Sequence, residues 1–203
     1  YEINIGDWSS DVCSSDLNAR IANVKNVEFH CLDVGDVAKL NYQFDFAYGR
    51  WVLGFAPNPE SILHGLHNCL KQGGVLAVEE SNFDENGHFS YPHEPALDLF
   101  RGIGRTYCKK LNICSNMAYM LPSIFRQLRF NDIRLELSQP ILVTPEEKSV
   151  FRLGVANAVE ILINNEISTK DELEHIINEC QKMESQDSIL GFYRNFLISG
   201  IKV

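Results

Sequence analysis

The sequence predicts an α/β domain built on a mostly parallel open sheet. Three stretches carry that reading. Phe44 to Tyr48 is a short run, apolar apart from Asp45, closed by a polar break at Gly49-Arg50. Val75 to Val78 is a continuous apolar run, the pattern of a strand covered on both faces. Between them, Asn58-Pro59 supplies an N-cap with proline at the first helical position, and Ile62, Leu63, Leu66, Cys69 and Leu70 recur at helical spacing. Two strands joined by such a helix form a right-handed parallel crossover. Open parallel sheets bind ligands beyond the carboxyl ends of their strands, which singles out Tyr48 to Phe55 and Glu79 to Phe83.

The 203 residues fit one domain, 1–203, large enough to build a core without disulfide staples. A formal charge of −9 with no basic block argues against a nucleic-acid partner. No apolar run approaches the ~20 residues that span a bilayer, and no secretory signal is visible. The six cysteines (Cys13, Cys31, Cys69, Cys108, Cys114, Cys180) form no CxxC pair, so no metal site is expected. Their pattern suits a reducing, cytoplasmic setting.

Taken in order, residues 1–17 are the doubtful segment. They hold two near-copies of a Ser-Ser-Asp unit, show poor helical periodicity, and are rich in residues that compete with helix hydrogen bonds. Leu17 to Val24 is more helical, and Val27 to Leu32 reads as a strand with Asp33 at its carboxyl end. Gly73-Gly74 is expected to stop the helix that Pro59 opens. Asn82 to Pro95 is a long polar loop containing His88, Tyr91 and His93.

Pro95 opens a helix with Leu97, Phe100, Ile103, Tyr107 and Leu111 on one face, and a second helix is expected over Leu121 to Leu128. Residues 82–130 therefore read as a helical insert capping the site, its aromatics lining an apolar pocket or packing between the helices. Ile133, Leu135 and Leu137 alternate with polar residues, as in a strand with one wet face. Thr144-Pro145-Glu146-Glu147 is a capping box, and Ser168 to Glu172 starts another helix, giving a C-terminal helical pair over 144–184. Gly191 marks a turn, and Phe196 to Val203 closes the chain as a strand.

The ordered set Phe44-Asp45, Pro57-Asn58-Pro59, Lys71-Gln72-Gly73-Gly74 and Val75 to Glu80 resembles the second half of a class I S-adenosylmethionine (SAM)-dependent methyltransferase. Upstream, Val27 to Asp33 resembles that family's preceding strand, and Leu128 to Ile133 the lead into its sixth. The resemblance implies a Rossmann-like sheet with an antiparallel last strand, incomplete at the N-terminus. No GxGxG occurs in the chain, and residues 6–17 resemble translated sequencing-adaptor sequence.

The resemblance also implies a cofactor, SAM, and residues to hold it. Asp33 and the Val34 backbone would meet the adenine. Tyr48, Gly49 and Arg50 would face the methionine end. Asp7, read as the end of a strand Tyr1 to Asp7, would take the ribose hydroxyls. The rival readings are Asp33 as a helix cap with Asp36, Arg50 as a surface ion-pair partner, and Asp7 as a loop residue. Glu80 could orient an acceptor, and His93 could serve as a general base, since imidazole titrates near neutrality.

The expected function is methyl transfer from SAM to a small-molecule acceptor, without nucleic acid or membrane as partner. The alternative is a non-catalytic methyltransferase-like remnant or partner subunit; a nicotinamide-dependent oxidoreductase ranks third. No GxSxG spacing supports a hydrolase. Without the glycine-rich loop, weak or negligible SAM binding is expected of the chain as it stands.

Overall fold

The computed structural model describes residues 2–5, 14–30, 32–82 and 87–203, with backbone alone for 2–5 and 14–17. Strand β1 (Glu2–Ile5), helix α1 (Ser14–Ile21) and strand β2 (Val27–His30) come first, and β1 pairs with β2 in parallel. Asp7, Cys13, Cys31 and Phe83 lie outside the described residues.

The main sheet holds β3 (Phe44–Arg50), β4 (Leu70–Asn82), β9 (Arg194–Lys202) and β6 (Phe130–Ser138), in the order β3-β4-β9-β6. β3 and β4 are parallel, with Phe46 opposite Val75 and Arg50 opposite Glu79. Their connection is helix α2 (Pro59–Cys69), capped by the Asn58 side chain, which accepts from the Ser61 amide at 3.1 Å. The last strand, β9, enters antiparallel between β4 and β6, as the resemblance implied. A third sheet, β5 (Phe89–Tyr91), β8 (Ile189–Gly191) and β7 (Ile141–Leu142), is antiparallel in the order β5-β8-β7.

The stop of α2 differs from expectation. The helix ends at Cys69, four residues ahead of Gly73. Lys202 of β9 donates Nζ to the carbonyls of His67 (2.8 Å) and Leu70 (2.7 Å), satisfying groups that a helix end leaves open. Gly73, at φ +78°, instead serves an irregularity in the β3–β4 register that falls between the Phe44–Leu70 and Phe46–Val75 pairs.

Two apolar clusters organise the interior. The first packs Leu63, Leu76, Val78 and Ile198 against Met117, Leu121 and Phe125 of α4 (Met117–Gln127). The second joins Leu97 of α3 (Pro95–Lys110), Phe151 and Val155 of α5 (Pro145–Asn157), and Leu173 and Cys180 of α7 (Lys170–Glu184). The expected insert over 82–130 is thus divided: α3 joins the second cluster, while α4 packs on the sheet. α4 also begins four residues earlier than expected and carries Pro122 in its interior.

The helical pair is three helices. A break at Ala158 separates α5 from α6 (Val159–Asn164). The capping boxes at Thr144 and Thr169 both form. Both edges of the main sheet are exposed: Phe46 and Tyr48 of β3 and Leu135 and Leu137 of β6 lie more than half open to solvent. Among the described residues, no helix is long and apolar enough to cross a membrane.

Candidate functional site

The carboxyl ends of β3 and β4 lie side by side, and the turn leaving β3 is braced from β4. Glu80 is fully buried. Its Oε1 accepts from the backbone N–H groups of Val52 (2.9 Å) and Leu53 (2.7 Å). Burial pushes its carboxyl pKa up, and these backbone donors pull it back. Glu80 therefore holds backbone in place; the role of orienting an acceptor, expected from the sequence, has no support in this geometry. Its burial follows from strand alternation, which sends Glu80 and Glu79 to opposite faces.

Glu79 gathers the neighbouring polar groups. Tyr48 donates its hydroxyl to Glu79 Oε2 at 2.6 Å, and Arg50 Nε lies 3.4 Å from Glu79 Oε1. Burial, then the bond to Glu79, raises the Tyr48 pKa above its ordinary value. A Cβ at Gly49 would meet nothing within 4 Å, so open space adjoins the backbone there.

Trp51 follows with φ +54°, a left-handed conformation that bulky residues rarely adopt. It is over-determined. Its amide donates to the Glu79 carbonyl at 2.9 Å, its indole N–H donates to Asn195 Oδ1 at 3.3 Å, and the Arg50 guanidinium sits 4.8 Å from its ring. Ser81 Oγ donates to the same Asn195 oxygen at 2.5 Å. Asn195 comes from β9, more than a hundred residues away, and no local signal in the sequence marks it.

Asp33 adopts the rival role weighed for it. Its carboxylate accepts from the Gly35 amide at 2.7 Å and caps a 3₁₀ helix over Val34–Lys39. Val34 packs against the first cluster. Both stand just beyond the carboxyl end of β2, whose sheet, among the described residues, is separate from that of β3. Tyr48, Gly49 and Arg50 are brought together; Asp33 and Val34 form a separate group.

His93, the candidate base, is exposed and lies 3.2 Å from Asp98, an ion-pair geometry. His88, five residues earlier, is the buried histidine. It borders a cavity of about 100 Å³ that Phe55, Phe100, Arg101, Tyr107 and Tyr193 also line. Phe100 and Tyr107 were expected either in such a pocket or in helix packing, and they do both, lining the cavity and packing against the second cluster. Tyr119 instead meets Phe196 edge-to-face, and Tyr91 is exposed.

His88 is 6% exposed, and neither ring nitrogen has a hydrogen-bond partner. Burial, helped by the Arg101 charge, lowers its pKa to about 3. The imidazole is neutral at physiological pH and a poor base. Leaving a buried polar atom unpaired costs about 1–3 kcal/mol.

The family model described as a methyltransferase domain matches residues 7–78. Among solved structures, the YcgJ protein of Bacillus subtilis is similar with a TM-score of 0.59 at 14% identity, over 98% of this chain and 81% of that one. The (4+2)-cyclase SpnF is similar with a TM-score of 0.56 at 20% identity, over 99% of this chain and 66% of that one. Phosphoethanolamine N-methyltransferase 2 of Haemonchus contortus, solved with S-adenosylhomocysteine, gives 0.48 at 12% identity over 93% of this chain. The present chain spans 41% of the length of that protein. No curated protein matches the chain.

Proposed function

We propose that this chain, whose residues 7–78 match a methyltransferase-domain model and whose fold is like that of YcgJ, is a SAM-dependent methyltransferase that transfers a methyl group to a small-molecule acceptor. The observation that carries this reading is the tip of the parallel pair β3–β4. There Tyr48, Glu79 and Arg50 are mutually bonded beside open space at Gly49, and Trp51 is held in a strained conformation. Strain that the surroundings over-determine is concentrated at functional sites.

SAM, when bound, supplies a methyl group on a sulfonium centre. The residues present fit part of it. Gly49 leaves room against the β3 backbone, and the Tyr48–Glu79–Arg50 cluster offers hydroxyl, carboxylate and guanidinium for a zwitterionic tail. Asp33 and Val34 stand at a strand end, where an adenine edge would be read. The fixed turn Val52 to Phe55 would align an acceptor and exclude water, the main tasks left to protein when a cofactor carries the reactive group. The four described cysteines are free thiols, which supports a cytoplasmic setting.

A specific observation favours the second reading, a non-catalytic remnant or partner subunit: β1–β2 and β3–β4–β9–β6 are separate sheets, so the residues proposed for the adenine and for the methionine end follow strands of different sheets. Likeness to a cyclase also shows that this fold hosts other chemistry.

Isothermal titration with SAM separates the two. The proposal expects weak heats that saturate only above the micromolar range and vanish in Asp33→Ala. No heat at any concentration supports the remnant. Micromolar affinity would overturn the expectation that lack of a glycine-rich loop weakens binding.

A further inference from the structure

We infer that the free edge of β6 pairs with the same edge of a second copy of this chain. The two strands run antiparallel about a two-fold axis at Leu135 and join two four-stranded sheets into one. The inference is independent of the methyl-transfer reading.

β6 ends the order β3-β4-β9-β6, so one side of its backbone has no strand beside it. Every residue from Arg134 to Ser138 is exposed, on both faces of the strand. An edge of this kind presents unpaired N–H and C=O groups to another chain. Two half-open leucines add an apolar margin. Leu135 stands opposite Ile198 and Leu137 opposite Phe196, so both leucines share the face on which α4 packs. Tyr119 of α4 meets the Phe196 ring at 5.3 Å and is itself half exposed. The margin therefore continues from strand to helix.

The side chains of this edge are complementary to themselves. A two-fold axis normal to the sheet sets residues of one face opposite each other, so it must fall on a residue. With the axis on Leu135, the two Leu135 side chains meet. Ile133 then lies opposite the partner's Leu137, and Arg134 opposite the partner's Glu136, and each of these pairs occurs twice. Arg134, held 2.7 Å from Asp132 of its own strand, comes to lie between two carboxylates.

Other registers fail. An axis on Glu136 sets carboxylate against carboxylate. An axis on Arg134 sets that residue against itself and Asp132 against Glu136. Like charges directly opposite destabilise a strand pair. An axis on Leu137 sets Arg134 opposite Pro140, beyond the strand's end and without an N–H to give.

The other border, β3, lacks this property. Asp45 and Arg50 point to opposite faces of the sheet, and each is paired within the chain, with Lys71 and Glu79. Because one two-fold uses both β6 edges, association closes at the dimer. A single strand edge buries less than the ~1,200 Å² at which stable interfaces begin, and each copy carries a charge of −9. The dimer is accordingly weak, with dissociation in the micromolar range.

The test is sedimentation velocity of the purified chain from about 1 µM to about 300 µM. Monomer is expected at the low end, dimer at the high end, and nothing larger. Leu135→Lys sets two ammonium groups on the axis and should remove the dimer. Arg134→Glu and Glu136→Arg should each weaken self-association at least about tenfold. Mixed in equal amounts, these two variants should form a heterodimer, because one then carries two acidic and the other two basic side chains at the paired positions. All three sites are exposed, so melting temperatures should match the wild type.

A chain that stays monomeric throughout, assemblies that grow past the dimer, a dimer that survives Leu135→Lys, or charge variants that fail to associate when mixed would each overturn the inference.

Discussion

Glu80 and His88 are both titratable and both buried, and their surroundings treat them oppositely. The turn after β3 closes on Glu80, with two backbone amides pointed at one carboxylate oxygen. Around His88 the neighbours are rings, and both nitrogens are left without a partner. The difference shows what satisfaction of a buried polar group accomplishes. Where partners come from the backbone, the group fixes chain geometry. Where they are withheld, the fold carries an unfavourable term. One carboxylate oxygen of Glu80 is answered by the chain itself; neither nitrogen of His88 is.

The strongest way to break this contrast is Glu80→Ala. It leaves the Val52 and Leu53 amides buried without an acceptor, at a cost of about 4 kcal/mol. Thermal unfolding should shift down by roughly 10 °C. Glu80→Gln keeps an acceptor oxygen and should lose about half as much. A loss within about 0.5 kcal/mol for Glu80→Ala would mean that the turn does not depend on it.

The second test uses pH. His88 has a folded pKa of about 3 against an ordinary value of 6.5, so the unfolded chain binds more protons between those values. Its contribution to stability is fully present above pH 6.5 and is lost as pH falls through the folded pKa. Relative to His88→Phe, the wild type should lose on the order of 3 kcal/mol between pH 7 and pH 4 in denaturant unfolding. Parallel pH curves for the two proteins would contradict a desolvated imidazole.

The smallest effect concerns the helical layer behind the cavity. Thr144→Ala removes a capping-box oxygen from α5 and should cost about 1 kcal/mol.

Much of the fold was legible because local rules governed it. Asn58-Pro59, Thr144 and Thr169 announce helix starts in the residues themselves, and the run Val75 to Val78 announces a doubly covered strand. The end of α2 was misread because a distant lysine, Lys202, takes the last carbonyls, so the glycines became part of an irregular strand entry instead. The site was less legible. Strand alternation said that one of Glu79 and Glu80 faces inward but not what it meets there. His88 and His93 share a polar loop and look alike in sequence. Packing of Phe100, Phe151, Phe192 and Tyr193 from three other segments decides which one is buried.

The two bare borders of the main sheet have a consequence for how copies of this chain behave in a crowded solution. Phe46 and Tyr48 on one side and Leu135 and Leu137 on the other offer greasy, unzipped ribbons that could template further ribbons. Arg134 and Glu136 interrupt the second, and Asp45 the first, as gatekeepers do. The wider safeguard is mutual repulsion from a net charge of −9, which fades as acidity approaches the isoelectric point near pH 5.1.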